Sequence, residues 1–310
     1  MPIEKRDFIS ILDIEKDIDE FLRLTARVKK NRNKLIKEEP LKNRSLAMLF
    51  EKPSTRTRLS FEIAMTELGG HALFLSPNDL QLGRGETIED TAKVISRYAN
   101  AIMYRAYDHN NMLKLAKYSS IPVINALDNV EHPCQILADL FTIKEKKTDF
   151  EGLKLTYLGD GNNICNSLLL GSAIVGLNFV AGCPEHYFPK RDIYEKGKEI
   201  ARKNGTKLEI VTDPIEAIKN ADIVYTDVWV SMGDEKEKTV REKVFPPYQV
   251  NSKIMKHAKD DAIIMHCLPA HRGMEITDEV IDSSHSVVFD QAENRLHAQK
   301  AVLLKLIKIH

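Results

Sequence analysis

The chain has 310 residues, 43% hydrophobic and 29% charged, with 45 basic side chains against 45 acidic ones. Such proportions exclude a disordered chain, and the charge balance argues against a general polyanion or nucleic-acid binder, which carries a basic excess or a basic face. The length suits two domains of ordinary size, large enough to fold without disulfide or metal staples.

From the N-terminus, "RVKKNRNKLIKEE" (27–39) is a basic stretch closed by Glu38 and Glu39, which reads as a solvated helix face. "SLAMLFE" (45–51) predicts a buried strand. "RTRLSFEIAMTELGG" (56–70) predicts the helix after it, with Leu59 and Ile63, and Phe61, Met65 and Leu68, at helical spacing and Gly69-Gly70 as the stop. "HALFLS" (71–76), "AIMYRA" (101–106) and "IPVINA" (121–126) are further strands, with a helix at "TIEDTAKVISRYA" (87–99). "HPCQILADLFTIKEKKTDFEG" (132–152) forms one helix and a turn leading into a second block. There, strands are expected at 153–160, 178–184, 207–212, 221–229, 261–269 and 286–291, with a helix over 163–176. The alternation predicts an α/β fold of two doubly wound, parallel-sheet domains joined by interdomain helices. The stretch "GDEKEKTVREKVFPPYQ" (233–249) is expected as a long, charged, functional loop.

The four cysteines, Cys134, Cys165, Cys183 and Cys267, form no CxxC pair, which argues against a disulfide framework or zinc knuckle. No run approaches the ~18 apolar residues of a membrane span, and "MPIEKRDFISILD" lacks a signal pattern, so a cytoplasmic location is expected.

Ligands of open α/β sheets bind beyond the carboxyl ends of the strands. The polar clusters of the chain stand there: Ser54 to Arg58, Arg105, His132 to Gln135, Asp160 to Asn163, Asp227 to Gly233 and His266 to Gly273. Ser54 or Thr55 can cap a helix whose positive end, with Arg and Thr side chains added, suits a phosphate. A plain N-cap with an exposed arginine face is the bland alternative. "LGDGNN" invites a dinucleotide reading, but Ile164 stands where the third glycine belongs, and no acidic residue ends the next strand. "HCLPAHRG" invites a metal reading, but adjacent His266 and Cys267 would point different ways from a strand. Neither a cofactor nor a metal is expected.

"STRTR", "HPCQ", "DVWVSMG" and "HCLPAHRG", in that order, resemble the carbamoyltransferase family. The first two are shared with its aspartate branch, and the last two resemble its ornithine branch. The likeness runs from about residue 3 to the C-terminus. It implies transfer of a carbamoyl group from carbamoyl phosphate to L-ornithine, giving citrulline and phosphate in the manner of arginine biosynthesis. By the same resemblance, Ser54, Thr55, Arg56 and Thr57 hold the phosphate, and Arg105 bridges phosphate and carbonyl oxygen. His132 and Gln135 meet the carbamoyl group, and Arg295 returns to the phosphate pocket. Gln81 reaches a neighbouring subunit's site, implying a trimer or a multiple of trimers. Asn163, Asp227, Ser231 and Met232 hold the α-carboxylate and α-amino group of ornithine, while Cys267 and Leu268 line the path of its side-chain amine. Arg105, His132, Cys267 and Asp227 are the expected catalytic groups. Residues 1–135 with a C-terminal helix over 292–310 are expected to bind carbamoyl phosphate, 150–291 to bind ornithine, and 136–149 to link them.

The rivals are a carbamoyltransferase for putrescine, N-acetylornithine or aspartate, a non-catalytic carbamoyl phosphate sensor, and a dinucleotide-linked oxidoreductase. "SMG" and Cys267-Leu268 argue against the first group, and competent residues at every matched position argue against the second.

Overall fold

The computed structural model describes residues 5–80, 85–231, 233 and 235–307. The chain divides into two units, one of residues 1–141 with 293–310 and the other of residues 142–292.

In the first unit, β1 (Ser45–Phe50), β2 (His71–Leu75), β3 (Ala101–Arg105) and β4 (Val123–Leu127) form a parallel sheet in the order β2-β1-β3-β4. Central β1 and β3 are largely apolar and buried, save half-buried Ser45 at the start of β1 and the buried Arg105 that ends β3, as expected of strands covered on both faces, whereas edge β2 is half exposed. The far edge is covered by the N-terminal segment: Phe8 pairs in parallel with Ile124, its N–H donating to Val123 O across 2.8 Å. Helices α1 (Ile18–Lys30) and α2 (Arg32–Glu38) precede β1, α3 (Thr55–Glu67) connects β1 to β2, and α4 (Ile88–Ile95) and α5 (His109–Tyr118) follow the next two strands. Phe61, Met65 and Leu68 of the expected α3 stripe are buried, each full burial contributing roughly 1.5–3 kcal/mol. Leu59 and Ile63, on the same spacing, remain exposed.

In the second unit, β5 (Lys154–Leu158), β6 (Asn178–Gly182), β7 (Leu208–Val211), β8 (Ile223–Thr226) and β9 (Ile263–His266) form a parallel sheet in the order β7-β6-β5-β8-β9. Helices α7 (Asn163–Val175), α8 (Arg191–Asn204) and α9 (Pro214–Ile218) lie between strands in sequence. Helices α6 (Pro133–Lys147) and α13 (Val288–Leu306) carry the chain from one unit to the other. Two parallel-sheet units with interleaved helices are the expected α/β class.

Two local expectations are corrected. Residues 286–291 are not a strand: Ser286 makes one parallel bridge to Ile264, Val287 N–H donates to Ile264 O, and α13 begins at once. The apolar trio Val287, Val288 and Phe289 imitates a strand, but the following residues bury Ala298, Ala301, Val302 and Leu303 on a helical face. Residues 233–249 are not one long loop either. A 3-10 turn at Glu235–Glu237 runs into α10 (Lys238–Val244) and a second turn at Pro246–Tyr248, and the short helices α11 (Ser252–Met255) and α12 (Asp278–Ile281) stand before and after β9.

Candidate active site

Each sheet reverses strand order beside its first strand, and those are the places where an open α/β sheet leaves room for a ligand. In the first sheet β1 lies between β2 and β3, with Phe50 paired to Arg105 at the carboxyl ends. The turn after β1 leads into α3, and Ser54 caps that helix. Its extended backbone (φ −162°) lets its Oγ accept the Thr57 N–H at 3.3 Å and donate to Thr57 Oγ1 at 3.0 Å. Thr57 is buried, Arg56 half-buried and Thr55 exposed on the first turn. Arg58 turns away to the surface, pairing with Glu62 at 3.0 Å and lying 3.8 Å from the centre of the Phe74 ring.

Arg105, Lys52, His132 and Arg295 are all buried in this unit. Arg295 comes from α13, its Nη1 donating to Gln135 Oε1 at 2.6 Å and its Nη2 to Thr57 Oγ1 at 3.4 Å. Gln135 Nε2 donates in turn to Asp139 at 2.8 Å. The first unit thus brings together Ser54, Thr57, Gln135 and Arg295 by hydrogen bonds. Arg56, Arg105 and Lys52 join them through their electrostatic effect on His132. Burial, then Arg295, Arg105, Lys52 and Arg56, hold the His132 imidazole well below its ordinary pKa, so the ring is neutral at neutral pH.

The backbone that presents His132 is set by a bulge. Tyr104 pairs with Asn125 but Arg105 with Leu127, so one extra residue turns the end of β4 outward. The fully buried Asp128 then accepts the N–H groups of Val130 and Glu131 at 2.7 and 2.9 Å, and the Asn125 amide at 2.9 Å. A carboxylate accepting several N–H groups fixes the loop just ahead of His132.

In the second sheet β5 lies between β6 and β8, with Leu158 paired to Thr226 and Thr226 to His266. Asn162 caps α7 through its Oδ1, which accepts the Ile164 and Cys165 N–H groups at 2.9 and 3.2 Å. Its Nδ2 donates to Asp227 Oδ2 at 2.9 Å and Ser231 Oγ at 3.4 Å. The Cys267 thiol donates to Asp227 Oδ1 at 3.1 Å. Asp227 is buried, while Asn163, Ser231, Cys267 and Leu268 are partly exposed. Leu268 has φ +56°, and its N–H donates to His266 Nδ1 at 2.8 Å. Gln81 and Met232 lie outside the described residues.

Sequence reasoning missed four residues. Lys52, buried 5.0 Å from the centre of the Tyr107 ring, was signalled only by a lysine closing an apolar run. Asp128 looks like any loop acid. Asn162, rather than its neighbour Asn163, carries the bonds to Asp227 and Ser231. Arg241 of α10 is buried and donates to Asp160 Oδ2 at 2.7 Å, Glu237 Oε2 at 2.9 Å and Trp229 O at 2.8 Å. It thereby ties the segment after β8 to the turn after β5.

The dinucleotide and metal readings meet direct geometry. A Cβ on Gly161 would stand 2.2 Å from Pro189 N, and Gly161 N–H donates to Tyr187 O at 2.8 Å. That glycine makes room for the protein's own backbone, not for a pyrophosphate. Contrary to the expected divergence, Asp227, His266 and Cys267 bring ligand atoms within 4.8 Å of one another. The strand ends at His266, so Cys267 is free of its alternation. Even so, His266 Nδ1 accepts the Leu268 N–H and Nε2 faces Glu275 Oε1 at 3.1 Å, leaving neither nitrogen turned toward a metal.

Among the described residues no helix is long and apolar enough to cross a membrane. Residues 6–145 match the carbamoyl-P binding domain, and residues 151–306 the Asp/Orn binding domain, of aspartate/ornithine carbamoyltransferases. The chain is 56% identical over 305 residues to the ornithine carbamoyltransferase of Methanosarcina mazei, covering 98% of this chain and 100% of the relative. It is 55% identical over 303 residues to a Thermoplasma volcanium protein named ornithine carbamoyltransferase, catabolic, covering 98% and 99%. The solved ornithine carbamoyltransferase of Pyrococcus furiosus superposes with a TM-score of 0.94 at 51% identity, covering 98% of this chain and 97% of that one.

Proposed function

The chain belongs to the aspartate/ornithine carbamoyltransferase family and is a carbamoyltransferase, and from that premise we propose that it carbamoylates the side-chain amine of L-ornithine, giving L-citrulline and phosphate. The buried Asp227 carboxylate, held by Asn162 and Cys267 beside Ser231, carries the choice of acceptor. A buried acid favours a cation, and the α-ammonium of an amino acid supplies one. Asn163 and Ser231 then meet the α-carboxylate, together with Met232. Putrescine lacks that carboxylate, and N-acetylornithine lacks the free ammonium.

In this reading Ser54, Thr55, Arg56, Thr57 and Arg295 hold the phosphate of carbamoyl phosphate, with Lys52 adding charge. Arg105 bridges phosphate and carbonyl oxygen, neutral His132 donates to that oxygen, and Gln135 meets the carbamoyl amino group. The neutral side-chain nitrogen of ornithine attacks the carbonyl carbon and a C–N bond forms. The C–O bond to phosphate then breaks, and the proton lost by the amine ends on phosphate. Negative charge gathers on the carbonyl oxygen and the leaving group, where fixed donors stabilise it most. No covalent nucleophile is needed, because carbamoyl phosphate is already activated and positioning supplies much of the rest. The amine, with a free pKa of about 10.4, must first lose a proton. Cys267 and Leu268 line its path, and desolvation there favours the neutral form.

We assign residues 1–135 with 292–310 to carbamoyl phosphate, 150–291 to ornithine, and 136–149 to the link between them. Loss of the mixed anhydride of carbamoyl phosphate favours citrulline at equilibrium, the direction of arginine biosynthesis, while metabolite levels decide which way the reaction runs. The family resemblance at Gln81 implies a trimer or a multiple of trimers, and we assign the protein to the cytoplasm. Phosphate release with L-ornithine as acceptor tests the activity, and sedimentation of the purified chain tests the assembly.

A further inference from the structure

We infer that Gln299 is a positioning residue that aims Arg295 at the phosphate of the donor substrate, an inference that rests on the proposed carbamoyl phosphate site. Gln299 is fully buried on α13, four residues after Arg295 and so one turn along the same face. With its amide oxygen and nitrogen assigned from the surrounding donors and acceptors, the oxygen accepts from Arg295 Nε at 3.1 Å and Nη2 at 2.9 Å, and the nitrogen donates to Ser60 Oγ at 2.6 Å. Ser60 lies on α3, and its own Oγ donates to Arg56 O at 2.6 Å. Gln299 therefore ties the helix that carries Arg295 to the turn of α3 that carries Arg56 and Thr57.

The choice of an amide has a physical consequence. Arg295 donates to the neutral side chains of Gln135, Thr57 and Gln299, which fix the plane of the guanidinium. Arg241 and Arg272, by contrast, donate to carboxylates. A neutral acceptor on the Nε edge adds no negative charge beside a dianionic ligand. A carboxylate at the same place would compete with that ligand.

The test is inorganic phosphate binding by calorimetry to the unmodified chain, Gln299→Met, Gln299→Glu and Ser60→Ala, with KM for each substrate beside it. We expect Gln299→Met, which removes both acceptor bonds to Arg295, to weaken phosphate binding about tenfold or more. KM for carbamoyl phosphate should rise in step, with KM for ornithine unchanged. Gln299→Glu retains an acceptor for Arg295 and keeps the measurement available if the Met variant does not fold. It should weaken phosphate binding at least as much, because the new carboxylate competes for Arg295, and a rise confined to KM for carbamoyl phosphate is what a purely structural role for Gln299 would not produce. Ser60→Ala should act in the same direction and more weakly. Phosphate binding unchanged in the Gln299 variants, or an equal rise in both KM values, would overturn the inference. Failure of the unmodified chain to bind phosphate would overturn the carbamoyl phosphate site, and the inference with it.

Discussion

The Cys267 thiol donates to the Asp227 carboxylate across 3.1 Å, while Asn162 holds the other carboxylate oxygen from 2.9 Å. Asp227 is thus clamped from two sides before any acceptor arrives. A carboxylate fixed in one orientation can hold an ammonium without first reorganising, which is where preorganisation lowers a barrier.

It follows that Cys267→Ala should lower kcat/KM for ornithine about tenfold or more, the worth of one hydrogen bond to an ionised group. Cys267→Ser, which keeps a donor, should recover most of it. If turnover and its pH profile in Cys267→Ala match those of the unmodified chain, the thiol plays no part in the site.

His132 makes stability depend on pH. Its folded pKa lies well below the ordinary value of about 6.5, chiefly through burial and then through the surrounding cations. The unfolded chain therefore takes up a proton that the native one refuses. Stability is fully present above about pH 6.5 and falls below it at up to about 1.4 kcal/mol per pH unit, until the folded pKa is reached. His297, also depressed by burial, adds to the same window. Denaturant titrations of His132→Asn between pH 5 and 7 should show a shallower fall than the unmodified chain. An identical slope would contradict a neutral His132.

Much of this arrangement is legible in the sequence, for reasons that can be named. Every strand of the first sheet is a short apolar run followed by a polar cluster, so Ser54 to Thr57 and Arg105 could be placed at strand ends before any coordinates. The segment 286–291 misleads because three apolar residues in a row fit a strand and a helix start equally. Asn162 and Asn163 are chemically identical neighbours, and only the N-cap geometry decides which amide folds back toward Asp227. Lys52 and Arg241 are illegible for another reason. A buried cation depends on partners distant in sequence, as with Arg241 and Asp160, and no local pattern records them.

Arg241 carries its own prediction. Its side chain and that of Asp160 are about nine-tenths buried, and its guanidinium lies 5.0 Å from the centre of the Tyr187 ring. Arg241→Met should destabilise the second unit by about 3–5 kcal/mol, because it removes the cation paired with a buried carboxylate. It should also raise KM for ornithine while leaving KM for carbamoyl phosphate alone. Adding Asp160→Asn should restore part of the stability. A single variant as stable as the unmodified chain would show that the pair does not hold this segment.

A second buried charge cluster joins α3 to α13 in the first unit. Glu67 accepts from the fully buried Lys300 and from Arg32, whose Nε lies 3.0 Å from Oε2. Those two bases hold the Glu67 carboxyl below its ordinary range against the opposing effect of burial, the largest single influence on it. Glu67→Gln should cost about 3 kcal/mol by leaving Lys300 without its counter-charge, and Lys300→Met should offset part of that loss. A double variant no more stable than Glu67→Gln would refute the pairing. Denaturant midpoints of the three chains decide it.

The most direct test of the central claim is phosphate release from carbamoyl phosphate with L-ornithine, putrescine, N-acetylornithine and L-aspartate compared under one set of conditions. Turnover is expected with ornithine alone, and it should be lost in Asp227→Asn. Turnover with another of these amines would contradict the assignment of Asp227, Asn163 and Ser231 to an α-amino acid. No turnover with any of them would contradict the proposed activity itself.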